Sequence, residues 1–331
     1  MEETRFTRPV SEGAERWLGV KQGVLDHGEV TLVDYMGNDL AVEEAARVSY
    51  GQGTRKVSET TALIRYLLRR THTSPFEMVE VRFRCALPIF VARQWIRHRT
   101  ANVNEYSGRF SVVPDVFYIP AREVIALQAT GNKQGRGAAA DDELASMTEQ
   151  YVTMDATQAF AHYNELIEGG IARELARIGL PVATYTYWIW KIDLHNLMHF
   201  LRLRLDTHAQ YEIRQYAEAM ARVVKEAFPI CWAAFEDYQL YAETFSRPEL
   251  AMLRKVIAPT TTRDLAVCGL GDAIPNALER REFLARLFRL GLLMPATESQ
   301  ALMYAKTLHL EGKKLDDEVQ FLRSAGICRE E

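Results

Sequence analysis

The chain contains no run of eighteen or more apolar residues, which excludes a membrane-spanning helix. Its first residues, MEETRFTRPVSEGAERW, lack the apolar stretch a secretory signal needs. Cysteine is scarce: Cys85, Cys231, Cys268 and Cys328 are far apart among 331 residues and form no Cys-x-x-Cys pair. Neither a disulfide framework nor a zinc ribbon fits that spacing, and four reduced thiols in a cytoplasmic protein is the expectation. A large charge of one sign is also missing, with Lys+Arg 40 against Asp+Glu 44 and a formal net charge of -4. That balance argues against a protein that coats nucleic acid by bulk electrostatics. There is no G-x-x-x-x-G-K-[ST] phosphate loop and no G-x-S-x-G elbow. Gly269-Leu270-Gly271 opens like a dinucleotide fingerprint, but Ile274 stands where the third glycine belongs.

What is present is ordinary globular usage, 48% hydrophobic and 25% charged, in a chain long enough for two domains or one elaborated domain. No internal repeat is found. Glu29–Met36 reads as a strand stopped by Gly37-Asn38, and Ala41–Tyr50 as a helix. Leu63, Ile64, Leu67 and Leu68 recur at helix spacing through Arg70. Val79, Val81, Phe83, Cys85 and Leu87 alternate with polar neighbours, the period of a half-buried strand, until Pro88 ends it and Ile89–Arg97 resumes helical register. Thr100–Phe110 is polar and reads as a loop. Residues 128–141 shift to Gly, Ala, Asn and Asp, the composition of a mobile surface loop or insertion. A long helix follows from Asp142 to Glu168, closed by Gly169-Gly170, then a short one over Arg173–Ile178 stopped by Gly179 and Pro181. Thr184–Ile192 is rich in β-branched and aromatic residues and reads as a strand, before helices over Leu194–Arg204 and Thr207–Phe228. Beyond Ser246, prolines punctuate short helical pieces up to Leu322, a helical extension whose arginines form a solvated basic face. The class is α+β, without the strict alternation of a doubly wound sheet.

Two clusters could carry chemistry. Arg97, Arg99 and Arg109 put three permanent positive charges within thirteen residues, among Gln94, His98, Asn102, Asn104, Glu105, Ser107 and Gly108. Guanidinium forks match phosphate oxygens bidentately, so an anionic ligand with a hydrogen-bonding ring fits as well as a solvated basic helix end does. The second cluster is Arg202-Leu203-Arg204-Leu205-Asp206-Thr207-His208, where helix capping alone also accounts for the residue types. His195 and His199 share a helical face, but no glutamate lies between them and no third ligand is obvious, so no metal is assigned.

Arg97-His98-Arg99, seven residues and then Ser107 reproduces the R-H-R-x7-S signature of the flavin-dependent thymidylate synthases. The resemblance extends through Asn104-Glu105-x-Ser107-Gly108-Arg109, VTLVDYMGNDL (30–40), Ser74-Pro75-Phe76-Glu77, PIFVARQ (88–94), ARIGLP (176–181) and RLDTHAQYE (204–212), covering roughly residues 25–240. It implies a flavin-dependent thymidylate synthase-like fold, helices around a small central sheet, with residues 1–245 as the catalytic domain and 246–331 as an extension of unassigned role. It further implies reductive methylation of dUMP to dTMP, with methylenetetrahydrofolate as carbon donor and NADPH, by way of FAD, as reductant. The implied assembly is a homotetramer with shared active sites. By position, Gln94, Arg97, Glu105, Ser107, Gly108, Arg109, Arg177 and Arg204 match substrate-binding residues. Ser74, Arg97, His98, Arg99, Glu105, Asp193, His195 and His199 match flavin-binding ones, with His72 and Glu77 nearby. Arg204 is the position that steadies negative charge on the pyrimidine N3–C4–O4 edge. Cys231, in Pro229-Ile230-Cys231-Trp232, does not match the nucleophile context of the classical synthases, and Ser107, without a base beside it in sequence, is assigned substrate hydrogen bonding. His195 stands where many relatives have arginine, and Asp193 and His199 where asparagine is common. Two other readings are another pyrimidine acceptor, such as uracil in RNA, and a phosphate-binding regulator that uses the basic clusters.

Overall fold

The structure, a computed structural model, describes residues 8–48, 59–130 and 135–329. The chain divides into two compact units, Met1–Tyr241 and Ala242–Glu331. No helix of the described residues is long and apolar enough to cross a membrane.

The first unit opens with helix α1 (Glu12–Trp17), capped by the Ser11 hydroxyl, then strands β1 (Lys21–Val24) and β2 (Gly28–Met36). Helices α2 (Asp39–Arg47), α3 (Thr60–Arg69) and α4 (Ser74–Glu77) lead into β3 (Glu80–Pro88). The end of the helix read over Ala41–Tyr50 lies outside the described residues. After β3 come α5 (Ile89–Trp95) and β4 (Asn102–Glu105). Strands β5 (Ala126–Gln128) and β6 (Arg136–Ala139) precede α6 (Asp142–Glu168) and α7 (Arg173–Ala176). The unit closes with β7 (Tyr185–Asp193), α8 (Leu194–Arg204), α9 (Tyr211–Ala227) and α10 (Pro229–Phe235). Five strands form one antiparallel sheet in the order β1-β2-β3-β7-β4.

β3 forms because its alternate residues Val81, Phe83, Cys85 and Leu87 can all be buried on one face, and all four are. It pairs with β7 from Glu80↔Asp193 to Pro88↔Tyr185. α6 starts where Asp141 accepts the Leu144 amide at 2.8 Å and stops at Gly169, followed by Gly170 in the left-handed region at φ 81°. Two expectations need correction. Thr100–Phe110 is not wholly loop: β4 pairs with β7 as the sheet's edge, Asn102↔Lys191 to Glu105↔Trp188, with all four side chains exposed. The stretch 128–141 is not simply a loop either, because β5 and β6 pair as a small separate sheet. An edge strand and a Gly/Ala hairpin bury no alternating side chains, so neither leaves a period in the sequence.

The core is centred on Trp95, the last residue of α5, which is wholly buried. Its ring meets Trp188 and Trp190 of β7 edge-on at 5.2 and 5.1 Å and stacks on Phe200 of α8 at 5.0 Å. Offset and edge-on pairs of this kind each add about 0.5–1.5 kcal/mol beyond area burial. The cluster therefore fixes the end of α5, and with it the residues that follow, against α8.

After helix α11 (Arg247–Val256), the second unit has its own core, in which Leu284, Tyr304, Leu322 and Ile327 are buried among helices α12 (Thr262–Val267), α13 (Leu270–Ala273), α14 (Ala277–Arg289), α15 (Glu298–Thr307) and α16 (Lys313–Ser324). Arg281 pairs at 2.9 Å with the buried Glu318, joining α14 to α16. Its basic face is thus partly structural, since Arg280 is buried and donates to the carbonyls of Ile274 and Pro275 at 2.7 and 3.1 Å.

Candidate active site

Phe200 and Arg204 lie one turn apart on α8, so the packing that fixes Phe200 also aims Arg204. His98, three residues beyond Trp95, sets its ring edge-on to Phe200 at 4.9 Å. Its Nε2 accepts a hydrogen bond from Arg204 Nε at 3.1 Å. That geometry requires an unprotonated Nε2, and burial, helped by the Arg204 and His199 charges, pushes the His98 pKa down to about 4. Half-burial also lowers the pKa of Arg204, whose guanidinium nonetheless stays charged. Thr100 ties the same loop to α8 by donating to Asn196 Oδ1 at 2.8 Å.

Beside this pair opens a cavity of about 580 Å³, lined by Gln94, Arg204, the 207–211 turn, Arg214, and the inner residues of β5 and β6 including Arg136. Among the described residues no Asp or Glu lines it. Gln94 Oε1 is buried there without a hydrogen-bond partner, an acceptor available to a ligand N–H. A basic cavity of this size with an orphaned acceptor suits an anionic molecule carrying a hydrogen-bonding ring.

Around α8 the other expected flavin residues collect. Ser74 opens α4, which packs against α8. His195 and His199 share one face of α8, and His199 has its pKa lowered by burial and by Arg202, His195 and Arg204. Asp193 is the N-cap of α8: its carboxylate accepts the Asn196 amide at 2.8 Å and the Asn196 side chain at 2.7 Å. Arg97 and Arg99 are exposed, and neither has a carboxylate partner among the described residues, nor does either line the cavity. This donor set of unspent guanidinium groups, imidazoles and a serine fits the pyrophosphate and ring edges of a flavin dinucleotide.

The remaining expected residues gather elsewhere. Glu105, at the end of β4, accepts from Thr186 Oγ1 at 2.8 Å. The Ser107 hydroxyl accepts the Arg109 amide at 3.3 Å, and Arg109 Nε donates to Glu174 at 3.2 Å. A Cβ placed on Gly108 would lie 3.2 Å from Arg177 Cδ, so this glycine lets the loop close on Arg177. None of Glu105, Ser107, Gly108, Arg109 or Arg177 lines the cavity that holds Gln94 and Arg204. Arg136, Tyr211 and Arg214 do line it and escape sequence reasoning. Their only signal is an isolated arginine in a Gly/Ala tract and an aromatic residue inside the RLDTHAQYE block that sequence reasoning gives no role of its own. Cys85 and Cys231, the cysteines of the first unit, are buried, which raises both pKa values and disfavours the thiolate.

Residues 31–230 match the family described as thymidylate synthase complementing protein. The chain is 53% identical over 258 residues to the flavin-dependent thymidylate synthase of Gluconobacter oxydans, covering 77% of this chain and 85% of that one. It is 50% identical over 253 residues to the enzyme of that name from Dictyostelium discoideum, covering 74% and 82%. Among solved structures, the UMP/dUMP methylase PolB from Streptomyces cacaoi bound with 5-Br UMP aligns with a TM-score of 0.61 at 34% identity, over 67% of this chain and 99% of that one. The same protein bound with 5-Br dUMP aligns with a TM-score of 0.60. An R-H-R segment pinned to an arginine-bearing helix beside an acid-free cavity thus sits within a match spanning most of the first unit, and the chain belongs to the flavin-dependent thymidylate synthase family.

Proposed function

We infer that this chain makes dTMP by methylating dUMP with FAD as its cofactor. The observation that carries the reading is the Arg204 guanidinium, oriented by a neutral His98 and facing a cavity that also holds the unpaired Gln94 acceptor. A pyrimidine C5 is a poor nucleophile until negative charge builds on the N3–C4–O4 edge. A fixed guanidinium beside that edge stabilises the charge where it develops. Gln94 Oε1 accepts the ring N3–H and holds the ring in register with Arg204. The burial of both first-unit thiols, Cys85 and Cys231, supports a route without a cysteine adduct. FAD supplies the electron transfer, and Ser74, Arg97, His98, Arg99, Glu105, Asp193, His195 and His199 would hold it.

Arg97, Glu105, Ser107, Gly108, Arg109 and Arg177 complete the nucleotide site in this reading, with methylenetetrahydrofolate as carbon donor, NADPH as electron source, and a cytoplasmic setting. A homotetramer with shared sites is supported by the division of the residues: one copy's cavity with Gln94 and Arg204 would be completed by another copy's Ser107–Arg109 loop and Arg177. It is supported too by Met147, Tyr151 and Met154 on α6 and by Leu175 and Ile178, apolar side chains that are all exposed. Purified protein should be yellow and should form dTMP from dUMP only with the folate and NADPH present. Parallel reactions on UMP and on a uridine oligonucleotide test the choice of acceptor. A colourless protein that FAD cannot reconstitute, or a yellow one that leaves dUMP unchanged, would falsify the reading.

A further inference from the structure

Among the residues lining the cavity, Arg136 comes from a hairpin strand whose four residues are all exposed. Its guanidinium pairs with Glu212 and also donates to Val124 O at 3.1 Å, and it lies over the Tyr211 ring at 5.4 Å. Glu212 is only 2% exposed. It also accepts from Tyr118 Oη at 3.2 Å and from Gln210 Nε2 at 2.9 Å. Gln210 and Tyr211, the two residues before Glu212, both line the cavity. A carboxylate therefore lies directly behind the wall of an otherwise acid-free anion site, one residue from its lining. The two neutral donors can hydrogen-bond it, but neither can cancel its charge, and Arg136 can.

We propose that Arg136 is a positioning residue for nucleotide binding: by neutralising Glu212 it keeps the cavity wall free of net negative charge and leaves the Arg204 field to the substrate. This deepens the nucleotide-site reading and rests on it. Two features separate the role from plain stabilisation. First, β6 buries no side chain, so the hairpin adds little to the core that an ion pair could be protecting. Second, an unneutralised buried carboxylate acts over several ångströms in a low-dielectric wall, so its effect reaches the bound anion without contact.

The test is a titration of the flavin spectrum of the holoenzyme with dUMP. Arg136→Ala should weaken dUMP binding roughly tenfold, through the uncompensated charge of the buried Glu212. Arg136→Lys keeps the charge and should stay within about threefold of the unmodified enzyme. The decisive variant is the double substitution Arg136→Ala with Glu212→Gln. It removes both charges and should recover most of the lost affinity, which a purely structural role for the pair does not allow. Unchanged binding in Arg136→Ala overturns the proposal, as does a double variant as weak as the single one or an equal loss in Arg136→Lys. An unmodified holoenzyme whose spectrum ignores dUMP defeats the nucleotide-site reading itself, which is a different result from a normal titration that Arg136 does not affect.

Discussion

Replacing Arg204 with lysine keeps the charge and changes the geometry, which makes it the sharpest probe of the proposed chemistry. Arg204 uses Nε to donate to His98 at 3.1 Å, leaving its terminal nitrogens for the cavity. A lysine carries its three N–H donors on one nitrogen, which cannot sit both where Nε meets His98 and where the terminal nitrogens of the planar fork reach the pyrimidine edge. Opposite unit charges 4 Å apart attract by about 4 kcal/mol at an effective dielectric near 20, and by about 2.8 kcal/mol at 6 Å. An ammonium drawn back by that much forfeits about 1.2 kcal/mol of transition-state stabilisation. Losing one charge-assisted hydrogen bond to the developing anion adds about 1.5–3 kcal/mol. The sum, about 3–4 kcal/mol, corresponds to a fall in kcat of roughly 100- to 1000-fold. The ground-state ring is neutral and gains much less from the cation, so KM for dUMP should rise by no more than a few fold. Steady-state dTMP formation, with flavin loading checked by absorbance, separates the two parameters. Turnover within threefold of the unmodified enzyme, or a loss confined to KM, would remove Arg204 from its proposed role.

Three further outcomes follow from the same geometry. His98 has its pKa lowered from 6.5 to about 4, so the unfolded chain takes up a proton before the folded one does. Its contribution to stability is therefore intact above pH 6.5 and is lost progressively as pH falls towards 4. Melting of His98→Gln should depend less on pH across that window, and parallel curves would refute the assignment. A Cβ on Gly108 would sit 2.9 Å from Val113 Cγ2 and 3.2 Å from Arg177 Cδ. Gly108→Ala should displace Arg177 and raise KM for dUMP more than it lowers kcat, and an unchanged KM counts against Arg177 as a substrate ligand. Cys231→Ala should cost about 1–2 kcal/mol in a denaturant titration by leaving a small cavity, yet keep turnover within a few fold. Abolished turnover in a folded, flavin-loaded variant would point to thiol chemistry after all.

Sequence pattern was most legible where burial and capping coincide. α6 runs from Asp142 to Glu168 as read, because the Asp141 cap and Gly169-Gly170 are local devices written beside it. β3 was legible because its alternation is the burial itself. β1, with only Gln22 and Val24 turned inward, is too short to show a period and went unread. β4 was hidden because an edge strand of Asn, Val, Asn and Glu buries nothing. The residue types of the candidate site were readable from the signature, but their grouping was not. Which of them face the cavity depends on Trp95 stacking on Phe200, a contact between residues more than one hundred positions apart. The Arg136–Glu212 pair spans 76 positions and likewise has no local trace.

The R-H-R segment looks on paper like three cations in a row, but its chemistry is not uniform. Burial makes the middle residue neutral, and a neutral imidazole is the state that can accept from Arg204 Nε. A protonated His98 would face a guanidinium at hydrogen-bond distance, two like charges with no acceptor between them. The flanking Arg97 and Arg99 are exposed, which suits groups that must meet phosphate oxygens from outside. His98 is instead held inward by Phe200. In the proposed reading the segment divides its labour by depth: two exposed cations for an anionic ligand, and one half-buried acceptor that orients a cation from another helix. A third arginine at position 98 would keep the count of charges and lose the device, because no guanidinium can accept a hydrogen bond.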